Sequence, residues 1–353
     1  MFGWHRSKPA LLGVDISATS VKVVELGMSG HGIDFKGYAV AILPSPDTTV
    51  KQEAKIQIVG TAIKKAVRQL GTRLNQAITA VPSAAVIVKT LPFSAGLSED
   101  EIEAQIELEA EQYIPYPLED VSLDFCVLGP TEKMTGMVDV QVVASRKEYV
   151  EDRAAALEWA GLKAEIVDVE SFAIERACHR ILQHSSEHPA DDVYAVIDAG
   201  ATTTSLIVIQ GRQVIHTREQ SFGGLQLNET IQKRFGMTYE DADLFKRQKG
   251  ALGDYESEVM NSFLDALGQQ VSRSLHFFRS SQPQLSVGKL FLGGGCASLP
   301  GIEQRIEADN DVVVTRIDPF AGMNLSPRAT RANLTQDAPA LLVATGLALR
   351  GFD

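Results

Sequence analysis

Cysteine and long apolar runs are scarce in this 353-residue sequence, and so is net positive charge. The three cysteines lie far apart and form no C-x-x-C pair, so neither a disulfide framework nor a zinc ribbon is expected. No apolar run approaches the roughly 18 residues that a membrane-spanning helix needs. The 33 basic and 45 acidic residues give a net charge of −12, which argues against nonspecific nucleic-acid binding because phosphates would be repelled. These absences favour a reducing, cytoplasmic setting.

Several familiar catalytic motifs are absent as well. The sequence contains no G-x-x-x-x-G-K-[ST], no G-x-S-x-G and no H-E-x-x-H. A P-loop nucleotide site, the nucleophile of an α/β-hydrolase and a zincin metal site are therefore excluded. The length predicts two or three folding units.

An internal repeat is the most informative feature that is present. Residues 10–26 and 193–209 both have the pattern of a strand, an aspartate, a short turn of small and hydroxyl residues, and a second strand. The two aspartates are Asp15 and Asp198. A single copy would be an ordinary turn, since Asp, Ser and Thr suit turns. Two copies half a chain apart predict a duplicated fold whose hairpin tips hold one polyphosphate from opposite sides.

Three further elements accompany the hairpins. Residues 289–301 read as a strand, a turn of three glycines (Gly293, Gly294 and Gly295) and a helix, and such a turn lets a base or phosphate approach the backbone. Alone, this segment would be only a tight strand-to-helix turn. Residues 167–177 read as a strand end leading into a helix. Residues 338–350 read as a helix of small residues that suits close packing between two lobes.

The segment between the first hairpin and the helix at 167–177 predicts a compact α+β unit. Ser98 opens a helix through a capping box with Glu101. That helix carries seven acidic residues between 99 and 111, which fits either a solvated face or an acidic surface that docks a basic partner segment. The strands and the second helix are expected at 84–92, 121–128, 137–144 and about 147–160.

Hairpin, helix, hairpin, glycine turn and helix follow one another as in the superfamily of actin, Hsp70 and sugar-kinase ATPases, and the chain resembles that superfamily across essentially its whole length. Within it, residues 11–26, 167–173 and 344–350 look like the PilM family of type IV pilus assembly, with FtsA as a cousin. The resemblance implies an α/β, actin-like (ribonuclease H-like) fold of two duplicated lobes. One departure is Ser17, where many members carry glycine; the second hairpin keeps Gly200.

The resemblance also implies a division of the chain into domains. Residues 1–83, 162–190 and 337–353 would form the core of the first lobe (1A). Residues 84–161 would be an inserted, FtsA-like small subdomain (1C). Residues 191–336 would form the second lobe (2A and 2B), with 2B at about 224–284.

ATP or ADP with Mg²⁺ is the implied cofactor. Glu170 occupies the position of the residue that orients the attacking water, and Asp15 and Asp198 would hold Mg²⁺ through water. Asp243 and Lys246 match an adenosine-contacting element, although they could equally form a plain ion pair on an exposed helix. The full set of expected nucleotide contacts is Asp15, Ser17, Thr19, Ser20, Lys22, Asp198, Gly200, Thr202, Thr203, Thr204, Gly223, Gly224, Asp243, Lys246, Gly293, Gly294 and Gly295.

For function, the resemblance implies a cytoplasmic component of the type IV pilus inner-membrane platform. It would bind the cytoplasmic N-terminal peptide of the inner-membrane protein PilN, lie at the inner face of that membrane through this partner, and link the platform to the pilus motor ATPases. ATP hydrolysis is expected to be slow at most, and self-association is left open. The alternatives are a small-molecule kinase of the sugar- or acetate-kinase branch and an FtsA-like filament former.

Overall fold

A computed structural model of the chain describes residues 10–30, 32–44, 50–131, 134–183, 193–211, 213–247, 259–326 and 334–352. The expected boundary between the lobes at 190 and 191, and part of the expected 2B segment, lie outside these residues. Ten α-helices occur in the described part of the chain: α1 (Gln52–Leu70), α2 (Glu99–Glu109), α3 (Lys147–Trp159), α4 (Glu170–Gln183), α5 (Gly224–Phe235), α6 (Tyr239–Arg247), α7 (Asn261–Ser281), α8 (Ile302–Asn310), α9 (Leu334–Asp337) and α10 (Leu342–Leu349).

The first sheet contains the first hairpin. Strand β1 (Leu12–Ile16) has a neighbouring strand on each edge, and all of its residues are buried, as expected for an apolar strand inside a sheet. The strand order is β14-β3-β2-β1-β4-β8, with β1, β2 and β3 antiparallel and β1, β4 and β8 parallel. The strands are β1 (Leu12–Ile16), β2 (Ser20–Ser29), β3 (Gly32–Ile42), β4 (Gln76–Val81), β8 (Lys163–Val169) and β14 (Asn324–Leu325).

The second sheet repeats this arrangement. Its order is β11-β10-β9-β12-β13, with three antiparallel strands followed by two that run parallel to β9. Order and direction match those of β3, β2, β1, β4 and β8 one for one, which confirms the duplication predicted from the two hairpins. The strands are β9 (Val193–Ala199), β10 (Thr204–Gln210), β11 (Gln213–Gln220), β12 (Lys289–Gly293) and β13 (Val313–Arg316).

The insert has its own small sheet and core. Strands β5 (Val86–Ser94), β7 (Met137–Arg146) and β6 (Val121–Pro130) form an antiparallel sheet with β7 in the middle. Helix α2 packs on this sheet through Ile102 and Ile106. It begins at Ser98 with the predicted capping box, because the Ser98 side chain accepts from the Glu101 backbone and the Glu101 carboxylate accepts in return. A short 3-10 turn follows α2 at Ala110–Gln112.

Two packing observations bear on the expected domain boundaries. Helix α3, expected within the insert 84–161, buries Ala156 and Leu157 in the core that β1 and α1 share. Strand β14, expected within the second lobe 191–336, pairs in parallel with β3 of the first sheet. This packing favours an insert that ends near 146 and a second lobe that ends before 324.

Helices α4 and α10 lie between the two sheets and share one core with both of them. They cross so closely that a Cβ on Gly346 would lie 1.8 Å from the carbonyl oxygen of Ala173, a distance that only glycine allows. Arg176 ties the two helices together by donating to the Gly346 carbonyl at 3.2 Å while pairing with Asp168 at 3.1 Å. The small residues at 338–350 therefore form the predicted close crossing. Among the described residues, no helix combines the length and the apolar character needed to cross a membrane.

Candidate functional site

The two hairpin tips have the same backbone geometry. The Ser17 N–H donates to the Ser20 carbonyl at 3.0 Å, and the Gly200 N–H donates to the Thr203 carbonyl at 2.9 Å. The two bonds are separated along the chain by the same number of residues as Asp15 and Asp198. Neither Ser17 nor Gly200 has a positive φ, so the backbone at this position does not require glycine and the departure at Ser17 is tolerated.

Backbone donors are available at both tips. In the part of the chain that the structure describes, the N–H groups of Ala18, Thr19, Ala201, Thr202 and Thr203 donate to no other group. A run of unsatisfied N–H groups at a turn is a common binding site for anions. Both tips line one cleft of about 2370 Å³ between the lobes, so these donors face a common space.

At the first tip, the expected side chains bind one another. Lys22 Nζ lies 2.7 Å from Asp15 Oδ2 and donates to Ser17 Oγ at 3.0 Å. The Ser17 hydroxyl in turn donates to the Ser20 carbonyl at 2.9 Å. Lys22 thus offsets the charge of Asp15 in this structure, and both the N–H and the hydroxyl of Ser17 are already used within the hairpin.

At the second tip, Asp198 stands against the glycine turn. A Cβ on Gly294, whose φ is 86°, would lie 2.6 Å from Asp198 Oδ1 and 2.4 Å from the Ala199 carbonyl oxygen, so this close approach requires glycine. Burial and the negative charge of Asp15 raise the pKa of Asp198 to about 6. The turn therefore holds the backbone of the second lobe directly against the carboxylate.

Glu170 begins α4 and faces the same cleft. Burial and the charges of Asp15 and Asp198 raise its pKa to about 8, and Arg153 opposes this shift only in part. At neutral pH the carboxyl is therefore mostly protonated. In that form it can hold a water molecule by hydrogen bonds but is a poor base.

The second-lobe wall of the cleft carries the expected Asp243 and Lys246. Their side chains are 3.3 Å apart and only 21% and 20% exposed, so the pair lines the cleft rather than a solvated helix face. Asn228 Nδ2 lies 3.4 Å from Asp243, and Cys296 Sγ donates to the Gly200 carbonyl at 3.3 Å. These contacts connect α5, α6 and the glycine turn to the second tip.

The structure brings most of the expected contacts to this cleft. The expected residues that line the cleft are Asp15, Ser17, Thr19, Ser20, Lys22, Glu170, Asp198, Gly200, Thr202, Thr203, Gly224, Asp243, Lys246, Gly294 and Gly295.

Three expected contacts do not line the cleft, and each packs against protein atoms next to it. The Thr204 hydroxyl is buried and donates to the Phe222 carbonyl at 2.8 Å. The Gly223 N–H donates to the side chain of Gln226 at 2.8 Å, and a Cβ on Gly223 would meet the carbonyls of the second tip at 2.6 Å. A Cβ on Gly293 would lie 2.9 Å from Leu342, so this glycine packs against α10.

Two charged residues that line the cleft were not expected from the sequence. Arg153 comes from α3, and Glu219 comes from the end of β11. Glu219 accepts from the Ala84 N–H at 3.1 Å and so connects the second lobe to the base of the insert. Neither residue belongs to a motif, because each reaches the cleft only through the packing of its own element.

The donor set fits a nucleotide with Mg²⁺. Mg²⁺ prefers oxygen ligands and keeps several waters, and the cleft offers the carboxylates of Asp15, Asp198 and Glu170. Burial first, and the neighbouring carboxylates second, raise the pKa values of Asp198 and Glu170, and a bound cation would favour their ionised forms. Among the described residues, no three His, Cys, Asp or Glu side chains form a ready metal cluster, so water and phosphate would have to complete the coordination.

Known proteins with similar sequence and structure were compared with the chain. The model of the family described as type IV pilus assembly protein PilM matches residues 13–352. A solved PilM–PilN type IV pilus biogenesis complex contains a chain that is 31% identical, with a TM-score of 0.80 and coverage of 98% of this chain and 99% of that one.

More distant relatives share the fold. Cell division protein FtsA of Bacillus subtilis (strain 168) is 23% identical over 261 residues, which is 68% of this chain but only 58% of FtsA. MreB 5 of Spiroplasma citri, solved with bound AMPPNP, is 12% identical with a TM-score of 0.50 and covers 96% of this chain and 95% of its own. Together the comparisons confirm the expected actin-like fold.

Replacing Glu170 by Gln should make the free protein's stability less sensitive to pH. The folded-state pKa of about 8 lies above the unfolded value near 4.5, so the folded protein holds a proton that the unfolded chain lacks between these values. Wild-type stability should therefore fall as the pH rises through this window, by at most about 1.4 kcal/mol per pH unit. Glutamine cannot ionise. In urea unfolding at pH 5, 7 and 9, the free energy of unfolding of the variant should therefore increase relative to that of the wild type as the pH rises.

The control for this comparison is Glu158→Gln, which removes an exposed carboxylate from the neighbouring helix α3. A difference between Glu170→Gln and wild type that stays constant from pH 5 to pH 9 would contradict the assignment.

Proposed function

Because the chain belongs to the PilM family of type IV pilus assembly proteins, we propose that it is an ATP-binding adaptor of the pilus assembly platform. The observation that carries the proposal is the pair of hairpin tips, which turn unsatisfied backbone N–H groups toward one cleft. Such an arrangement suits a polyphosphate held from both sides.

The proposed site divides the work between the lobes. The N–H groups of Ala18 and Thr19, with the hydroxyls of Thr19 and Ser20, would bind phosphate from the first lobe. The N–H groups of residues 201–203 would bind phosphate from the second lobe. Mg²⁺ when bound would offset phosphate charge, and the carboxylates of Asp15 and Asp198 would orient its water ligands. Asn228, Asp243, Lys246 and the turn at 294–296 would line the nucleoside end.

Hydrolysis in this site would be slow. Glu170 stands where a water-orienting residue is expected, and its raised pKa in the free protein suits holding a water molecule by hydrogen bonds more than removing its proton. Bound nucleotide would then act mainly by setting the angle between the lobes, and slow hydrolysis would return the protein to its starting arrangement. The match to the PilM family over residues 13–352 favours an adaptor over a small-molecule kinase.

The partner in this proposal is the cytoplasmic N-terminal peptide of PilN. The chain of the solved PilM–PilN complex is similar to this one over 98% of its length, which supports a shared partner. The insert sheet, especially β5 and β7, would form one wall of the peptide groove. The protein would lie in the cytoplasm at the inner face of the inner membrane through PilN, and contacts with pilus motor ATPases would follow from that position.

Removal of the Asp198 carboxylate tests the nucleotide site. Calorimetric titration of the wild type with Mg-ATP and Mg-ADP should show binding, and Asp198→Ala should weaken it at least about tenfold, because a charge-assisted contact contributes about 1.5–3 kcal/mol. Asp100→Ala, which removes an exposed carboxylate from α2, is the control and should bind like the wild type. No heat of binding at millimolar nucleotide would leave an actin-like scaffold without a nucleotide switch.

Binding of a synthetic peptide tests the partner. A fluorescein-labelled peptide with the cytoplasmic N-terminal sequence of the cognate PilN should raise its anisotropy on titration with the protein and saturate. A scrambled peptide of the same composition should not, because specific side-chain pockets distinguish register. Equal responses from the two peptides would overturn PilN as the partner.

A further inference from the structure

Arg153 is a half-buried cation of the cleft wall that the expected nucleotide contacts do not include. It lies halfway along α3, and its side chain lines the cleft together with Asp15 and Glu170. Burial lowers the pKa of its guanidinium, while the charges of Glu170, Asp15 and Asp152 oppose that shift. An arginine remains charged in spite of such effects. The protein therefore keeps a positive charge beside the carboxylates of the first lobe.

The other cations of the cleft wall are either paired or exposed. Lys22 pairs with Asp15 at 2.7 Å, Lys246 with Asp243 at 3.3 Å and Arg305 with Asp265 at 2.9 Å. Lys55 is exposed to solvent. Arg153 differs from all of these, because no residue in the described ranges hydrogen-bonds to its guanidinium or lies within 4 Å as an ion-pair partner.

A guanidinium that faces a binding cleft without a direct protein partner is free to donate to an anion that enters the cleft. The geometry of arginine suits phosphate, since its planar fork can donate two parallel hydrogen bonds. A phosphate that binds together with Mg²⁺ would add little net negative charge beside Asp15 and Glu170.

The position of Arg153 along the cleft indicates which phosphate it would meet. Asn228, Asp243, Lys246 and Cys296 line the second-lobe end, which suits the nucleoside. Arg153 and Glu170 come from α3 and α4 and lie near Asp15 of the first tip. A phosphate chain that runs from one end to the other between the hairpin tips would bring its last phosphate to Arg153.

We propose that Arg153 binds the terminal phosphate of a bound nucleoside triphosphate and thereby makes the protein distinguish triphosphate from diphosphate. This rests on the nucleotide site proposed above. The contact also has a route to the insert, since α3 begins at Lys147 directly after β7, the middle strand of the insert sheet. One helix thus joins the phosphate end of the cleft to the sheet proposed to bind the partner peptide.

Selective loss of triphosphate affinity is the expected signature. The Kd of the full-length protein for Mg-AMPPNP and for Mg-ADP is measured by calorimetry in the wild type, Arg153→Gln and Arg153→Lys. Arg153→Gln should weaken AMPPNP binding roughly 10- to 100-fold and ADP binding far less, because a hydrogen bond to a charged group contributes about 1.5–3 kcal/mol. Arg153→Lys should retain part of the preference and also serves if the glutamine variant folds poorly.

Lys147→Gln is the matched control, because it removes an exposed positive charge from the same helix. Its two Kd values should equal those of the wild type. Equal weakening of both nucleotides by Arg153→Gln, or of neither, would overturn the inference while leaving the nucleotide site intact. Failure of the wild type to bind either nucleotide would overturn the nucleotide site and this inference together.

A double-mutant cycle separates phosphate binding from mere compensation of Glu170. If Arg153 only offsets the charge of Glu170, Arg153→Gln should have no effect on the AMPPNP-to-ADP ratio once Glu170→Gln is present. Direct contact with the phosphate predicts the same fold loss in both backgrounds. An effect that vanishes in the Glu170→Gln background would overturn the assignment.

Discussion

The burial of three carboxyl groups in one cleft is the constraint on which the rest of this structure depends. The fold brings Asp15 and Asp198 to matching hairpin tips and Glu170 to the start of a helix beside them. Lys22 compensates Asp15 directly, but burial leaves Asp198 and Glu170 with raised pKa values. A cation that binds with a polyphosphate would favour the ionised forms of Asp198 and Glu170. A ligand that contacts both lobes in this way can favour one arrangement of the lobes over another.

Close packing behind the cleft makes this arrangement possible. Helices α4 and α10 separate the two sheets, and the absence of a side chain at Gly346 lets them touch through their backbones. A larger residue there would push the sheets apart and move the hairpin tips with them. The ion pair of Arg176 with Asp168 and its bond to the Gly346 carbonyl fix the same crossing. This crossing fixes the packing between the two sheets, while the hydrogen bond between Glu219 and Ala84 connects the second lobe to the base of the insert.

The sequence predicted those elements whose structure depends on residues that are close together in the chain. The two hairpins, the capping box at Ser98 and the glycine turn each depend on neighbouring residues, and their repetition predicted the duplicated sheets. The pairing of Lys22 with Asp15 could not be predicted, because it depends on which side of the strand faces the tip. Arg153 was missed for a similar reason: α3 was expected in the insert, and only its packing on the first lobe turns Arg153 toward the cleft. Glycines at 223 and 293 were expected as ligand contacts but pack against protein atoms.

Hydrogen–deuterium exchange of the wild type with and without Mg-ADP tests the central claim most directly. If one nucleotide is held between the two tips, amides in residues 17–20 and in residues 200–204 should exchange more slowly together when Mg-ADP is present, since both sets of free N–H groups would gain phosphate partners. Protection at the glycine turn near residue 294 should accompany them. Slowing confined to one hairpin, or found only away from both tips, would contradict a shared site.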